Sequence, residues 1–240
     1  MIRTAVIRLV AAFAALAAML HAQVADPLRF PFGGKYGQVE VGGPFVGAEF
    51  HGSRPLPSRI SLYYPVANSI DVSNDYWKRG ASHPFAAAVR LDGGRPVQLG
   101  TSGWAYTLSP HAVTFDGNAG ALSCAMTYQF CAREPAMVFR LRLANPGPGP
   151  VTVEAYTHLR LSLRSCQTYA RFDSARTEYD IENGAVIARF DNPELSKPAC
   201  FVQNAGARPA SWTTNTTELG VVKSCNHRAV FNVVFRPGRI

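Results

Sequence analysis

PAMVFRLRLANPGPGPVTVEAYTHLRLSL (residues 135–163) holds two runs of alternating side chains joined by a segment that neither run can extend. In the first, Met137, Phe139, Leu141 and Leu143 recur at every second position, interleaved with Arg140 and Arg142. In the second, Val151, Val153, Ala155, Thr157, Leu159, Leu161 and Leu163 share one face, and Thr152, Glu154, Tyr156, His158, Arg160, Ser162 and Arg164 the other. A period of two is the mark of a half-buried strand, because successive side chains leave a strand on opposite sides. The intervening NPGPGP (residues 145–150) has three prolines without an N–H to donate, and its glycines admit turn geometry. The sequence therefore predicts a hairpin tip between two antiparallel strands, the second running over 151–164. That is long against the usual three to ten residues, and it implies a large sheet pressed on another.

The same texture extends in both directions. Leu122, Cys124, Met126, Tyr128 and Phe130 alternate with smaller or polar neighbours, and Phe231, Val233 and Phe235 form a last inward face. Further strands are expected over 58–64, 85–91, 104–108, 112–116, 184–190, 198–203 and 229–235. No stretch keeps helical spacing for three turns. Many short strands with turns between them read as an all-β sandwich. With 240 residues, 47% hydrophobic and 17% charged, the chain lies far from the composition of disordered proteins, and 17 Pro and 20 Gly fit a turn-rich fold.

Residues 1–22 carry Arg3 and Arg8, then the apolar run LVAAFAALAAML (9–20), and Ala22 at a cut site. This is the pattern of a secretory signal peptide, and the run is too short to span a membrane. The expected organisation is signal peptide 1–22 and one β-domain over 23–240, periplasmic or extracellular and without a membrane anchor once cleaved. Losing the two arginines lowers the formal charge of +8 by two. Of the basic residues only Lys35, Lys78, Lys197 and Lys223 are lysines, and the arginines are scattered along the sequence rather than gathered into a nucleic-acid stripe. Nucleic acid is not an expected partner, and Arg140, Arg142, Arg160 and Arg164 are expected on solvated strand faces.

An oxidising compartment permits disulfides among Cys124, Cys131, Cys166, Cys200 and Cys225, although an odd count leaves one unpaired. Cys124 and Cys131 lie about 23 Å apart along one extended segment, beyond a disulfide's reach. Cys131–Cys166 and Cys200–Cys225 remain open. No spacing makes a zinc pattern.

Residues 65–84 (PVANSIDVSNDYWKRGASHP) have no clear periodicity, and unstructured segments of that length inside a domain tend to be functional. Asp71, Ser73 and Asp75 have alternate-position spacing like a calcium loop, but Tyr76 and Ser82 stand where an EF-hand needs Gly and Glu, so turn-forming side-chain bonds are the better use. Tyr76 and Trp77 offer flat ring faces to sugar C–H groups, and Asp75 and Arg79 offer partners for hydroxyls. Trp104 can do the same or pack in the core with Tyr106. These five are the candidate substrate-binding residues.

Glycoside hydrolysis needs two carboxylates across the scissile bond. Glu49 and Glu134 are the ones to examine, and surface or turn positions explain both. The histidines are isolated in sequence, and no HExxH, GxSxG, P-loop or GxGxxG occurs. No catalytic residue, metal ligand or cofactor is assigned.

Three segments, SRISLYYPVANSIDVSNDYWKR (58–79), residues 135–163 and FNVVFRPGRI (231–240), together resemble the N-terminal β-supersandwich of six-hairpin glycosidases. In that group of glucoamylase-like enzymes, amylo-α-1,6-glucosidases and cellobiose or maltose phosphorylases, the sandwich precedes an (α/α)6 barrel. The resemblance covers most of residues 28–240. It implies a non-catalytic domain that packs on the barrel and lines its oligo- or polysaccharide site, the barrel supplying the acid and base. Since this sequence has no such barrel, an exposed apolar docking surface and aggregation are expected. The alternatives are a mutarotase-like enzyme using a His and a carboxylate from strand faces, and a plain extracellular adhesion or carbohydrate-binding sandwich.

Overall fold

A computed structural model describes residues 28–239 apart from 53, 63–69, 72–82, 101–102, 160–161, 166–172, 181–184, 191–197, 206–210 and 214–217. In chain order the strands are β1 (Arg29–Pro31), β2 (Gln38–Gly42), β3 (Val46–His51), β4 (Pro57–Leu62), β5 (Ile70–Asp71), β6 (Phe85–Leu91) and β7 (Val97–Gln98). They continue with β8 (Ala105–Ser109), β9 (Ala112–Ala119), β10 (Leu122–Phe130), β11 (Met137–Ala144), β12 (Val151–Leu159) and β13 (Ser162–Ser165). The last are β14 (Asp173–Asp180), β15 (Ala185–Phe190), β16 (Pro198–Ala205), β17 (Ser211–Thr213), β18 (Glu218–Cys225) and β19 (Arg228–Arg239). A single 3-10 turn at Gly34–Tyr36 is the helical element among the described residues.

The described strands form a large sheet in the order β1-β8-β9-β10-β11-β19-β16-β15-β14-β13-β5-β4-β3-β2 and a smaller one in the order β17-β18-β12-β6-β7. The alternation predicted for 122–130 and 137–143 is present. Leu122, Cys124, Met126, Tyr128 and Phe130 are all buried, as are Met137, Phe139, Leu141 and Leu143, while Ser123, Gln129, Arg140 and Arg142 are exposed.

Opposite this face stand Phe85, Ala87 and Val89 of β6, Val153 and Ala155 of β12, and Val46, Ala48 and Phe50 of β3. Tyr128 lies at the centre of the core, its ring centroid 4.8 Å from Phe50, 5.1 Å from Phe139, 6.2 Å from Phe115 and 6.4 Å from Phe85. Phe50 does not pair with β9 or β10, yet its ring meets both Phe115 and Tyr128. The β2–β4 end of the large sheet therefore doubles back over the β9–β10 face, beside the small sheet. Burying each of these rings contributes about 1.5–3 kcal/mol, and the Tyr128 hydroxyl donates to the Pro55 carbonyl at 2.9 Å, so its polar tip is satisfied.

The connection at 145–150 is not a hairpin tip. β11 pairs with β10 and β19, whereas β12 pairs with β18 and β6, so NPGPGP carries the chain from one sheet to the other. Asn145 holds this arch. Its amide donates to the Gly149 carbonyl at 2.8 Å and to the Cys225 carbonyl at 3.2 Å, and its side-chain oxygen accepts from the Gly147 N–H at 2.9 Å.

Nor is 151–164 one strand. It divides into β12 of the small sheet and β13, which pairs with β14 and β5 in the large one. Two successive strands with the same parity in the sequence, one in each sheet, account for the unusual run of alternation.

Neither candidate disulfide forms, because Cys131 and Cys225 are free thiols, as is Cys124. Cys200 sits opposite Pro237 at the far end of β19, while Cys225 precedes its start at Arg228. A strand of that length puts them roughly 30 Å apart, well beyond disulfide range.

Candidate functional site

Asp75, Tyr76, Trp77 and Arg79 lie outside the described residues, as does most of 65–84. Within that segment Ile70–Asp71 form β5, which pairs with β4 and β13, so the stretch is partly strand rather than wholly loop. Trp104 is described, and it is only 3% exposed. Its indole lies against Gly117 of β9, where an added Cβ would come within 2.6 Å of the ring. Glycine there leaves the gap in the core-facing row that the indole fills. Packing accounts for Trp104, and its ring presents no open face for a sugar.

Glu134 is exposed on a bend, as expected of a turn residue. Glu49 is different. It faces Arg59 across β3 and β4 beside a bulge, and the Arg59 guanidinium donates to Glu49 Oε1 at 2.7 Å. His51 Nε2 meets Glu49 Oε2 at 3.0 Å, and the His51 backbone N–H donates to the Ser58 hydroxyl at 3.1 Å. His51 and Glu49 are two apart on one strand and so share a face, which the sequence shows; that Arg59 closes the cluster depends on strand register, which it does not show. The side chains of Glu49 and Arg59 are 13% and 18% exposed, so Glu49 is neither a surface nor a turn carboxylate. Nearby, the His83 ring donates through Nδ1 to the Pro57 carbonyl at 3.3 Å, and burial is the main cause that lowers its pKa.

On the opposite, outward side of β9, β10, β11 and β19 the register builds a polar groove. Asp116, Ala125, Arg142 and Val230 are partners in one row across these four strands. Asn118, Ser123, Ala144 and Arg228 form the next row. Arg29 of β1 reaches the same hollow, a cavity of about 540 Å3. Ala125, Ser123 and Ala144 are short and make the floor, and the three arginines stand around them. Volumes of this order are typical of small-molecule sites.

Among the described residues, no ion pair or side-chain hydrogen bond engages Arg29, Arg142 or Arg228, and Asp116 is the one carboxylate lining the hollow. Arg142 is exposed as the alternation predicts. Its convergence with Arg29 and Arg228 is invisible in the sequence, since they come from strands far apart along the chain. Beneath the groove, Cys124 is 3% exposed, and its thiol is pushed up to about 12 by burial, with the Asp116 charge adding to the rise. Cys124 is therefore a neutral thiol at ordinary pH and offers no nucleophile. Among the described residues no group of three His, Cys, Asp or Glu is placed to hold a metal.

No family model and no curated protein matches the chain. Among solved structures, it is similar to a putative kojibiose phosphorylase from human microbiome, with a TM-score of 0.55 at 8% identity over 83% of this chain and 29% of that one. It is also similar to a polysaccharide lyase, with a TM-score of 0.51 at 11% identity over 90% of this chain and 33% of that one. The chain thus spans about a third of each. At these identities the likeness is one of fold, and what it establishes is an all-β, supersandwich-like domain that recurs as part of larger proteins.

Proposed function

We propose that this chain is an exported, non-catalytic β-supersandwich belonging with a carbohydrate-active enzyme, packing on an (α/α)6 barrel and lining its saccharide site. Residues 1–22 act as the signal peptide, and residues 23–240 form the domain. The observation that carries this reading is the fold likeness to one-third portions of a phosphorylase and a polysaccharide lyase. In support, both oxygens of the Glu49 carboxylate are held, one by Arg59 and one by His51, as befits a structural cluster. For the mutarotase-like alternative the His51–Glu49 pair is the nearest match, but it does not line the described cavity. A plain adhesion sandwich predicts no cleft, and the groove over β9–β11 and β19 stands against it.

Asp75, Tyr76, Trp77 and Arg79 are the saccharide contacts in this reading. Calorimetric titration with maltooligosaccharides and soluble xylo- and gluco-oligomers should show binding to the parent chain. Trp77→Ala should bind at least about tenfold more weakly, the scale of losing an aromatic anchor from a binding surface. Binding in neither protein would remove the lining role.

A further inference from the structure

We infer that the groove formed by Arg29, Arg142 and Arg228 is an anion-binding saccharide subsite, selecting sugars that carry carboxylates. Three guanidiniums and one carboxylate, Asp116, line the same hollow of about 540 Å3. All three arginines are exposed, and among the described residues none has an ionic or side-chain hydrogen-bonding partner.

Their neighbours on the same face behave otherwise. Arg140, in the adjoining row, donates to the Asn232 side chain at 2.9 Å, and Thr114 and Thr127 bond to each other at 2.9 Å. Across the molecule Arg90 is matched by Glu154 at 3.2 Å. Among the described residues, the groove thus gathers three guanidiniums with a single carboxylate, Asp116, to offset them.

Guanidinium is planar, permanently charged and presents paired N–H donors that match the two oxygens of a carboxylate. Asn118 and Ser123, in the row beside Asp116 and Arg142, supply an amide and a hydroxyl that can donate to and accept from sugar hydroxyls. The floor of Ala125 and Ala144 admits a ring without a bulky side chain beneath it. A neutral glucan would leave the guanidiniums without an anionic partner from the ligand, whereas a uronate oligomer brings one carboxylate per sugar to a hollow lined by three of them. The anionic preference rests on the arginines alone; the saccharide assignment rests on the proposed carbohydrate role.

The test compares trigalacturonate with maltotriose, inorganic phosphate and an oligothymidylate by calorimetry, on the parent chain and on Arg142→Gln, Arg228→Gln, Arg90→Gln and Trp77→Ala. Circular dichroism confirms that each variant is folded. Trigalacturonate should bind at least tenfold more tightly than maltotriose and weaken as salt is raised. It should lose at least tenfold in Arg142→Gln and in Arg228→Gln, while Arg90→Gln changes nothing. Equal affinity for the charged and neutral trisaccharides would overturn the assignment. So would phosphate or the oligothymidylate binding as tightly as trigalacturonate, since the groove would then be a general anion or nucleic-acid site. If saccharide binding falls in Trp77→Ala but is untouched in both groove variants, the carbohydrate role survives and the groove does not.

Discussion

Cys124, Cys131 and Cys225 are chemically identical side chains that the fold makes unequal. Cys225 is wholly buried, Cys124 is nearly so with its thiol at about 12, and Cys131 is partly exposed with a thiol raised chiefly by burial and secondarily by Glu134. Iodoacetamide reacts with thiolate, so a raised pKa keeps Cys124 and Cys131 protonated, and therefore slow, to higher pH than a free cysteine, while burial alone shields Cys225. In the folded protein, peptide mapping should find Cys131 alkylated well before Cys124 and Cys225, at a rate still rising above the pH where an ordinary thiol levels off. Alkylation of Cys124 as fast as in denatured protein would contradict its place in the core. The alternation around Leu122 makes that placement legible, because Cys124 shares the parity of Met126 and Tyr128. The thiols' failure to pair is not legible, since spacing along the chain says nothing of which end of β19 a cysteine adjoins. Trp104 is a similar case. Nothing in its own neighbourhood reveals that a glycine in β9 leaves it room.

Among the elements, the arch at 145–150 shows most clearly what period two can and cannot tell. Residues 137–143 and 151–158 have the predicted inward faces, yet they belong to different sheets, because side-chain parity fixes the buried face and carries no label for the partner strand. Proline and glycine likewise stop a ladder without saying whether the chain then folds back or crosses over. The crossing depends on Asn145, whose side chain ties Gly147, Gly149 and the end of β18 together. Asn145→Ala leaves the Cys225 carbonyl without that donor in a part-buried setting, and should cost about 1–3 kcal/mol. Urea denaturation would register it as a lower midpoint with unchanged slope. A loss below the experimental error would mean that the prolines alone shape the arch. The strands β2 and β3 escape sequence reading for a related reason. Gly42 and Gly47 interrupt their pattern, and they are partners whose backbones approach too closely for a Cβ, which would meet its neighbour at 2.9 Å from Gly42.

For the whole molecule, composition and spacing suffice for an all-β sandwich, and the resemblance to six-hairpin glycosidases adds the supersandwich. The barrel that the same resemblance implies, and that this sequence does not contain, leads to an expectation of a broad apolar docking face. Among the described residues the large hydrophobic side chains left exposed are Leu28 and Leu108, so the described surface is polar. Protein lacking residues 1–22 should accordingly run as a monomer in sedimentation velocity. Concentration-dependent association would show that a greasy face exists elsewhere on it.

β19 lies between β11 and β16 and is the only strand joining the two flanks of the large sheet, in the order of strands described. Such a keystone decides the order of assembly. While the ribosome is still making the chain, strands up to β11 can zip locally, but the vault stays open until residue 239 has emerged, and contacts spanning so much sequence form slowly. Until β19 is in place, β11 and β16 each keep a bare edge, so a chain interrupted before Arg228 would carry two unpaired strand edges open to pairing with other molecules.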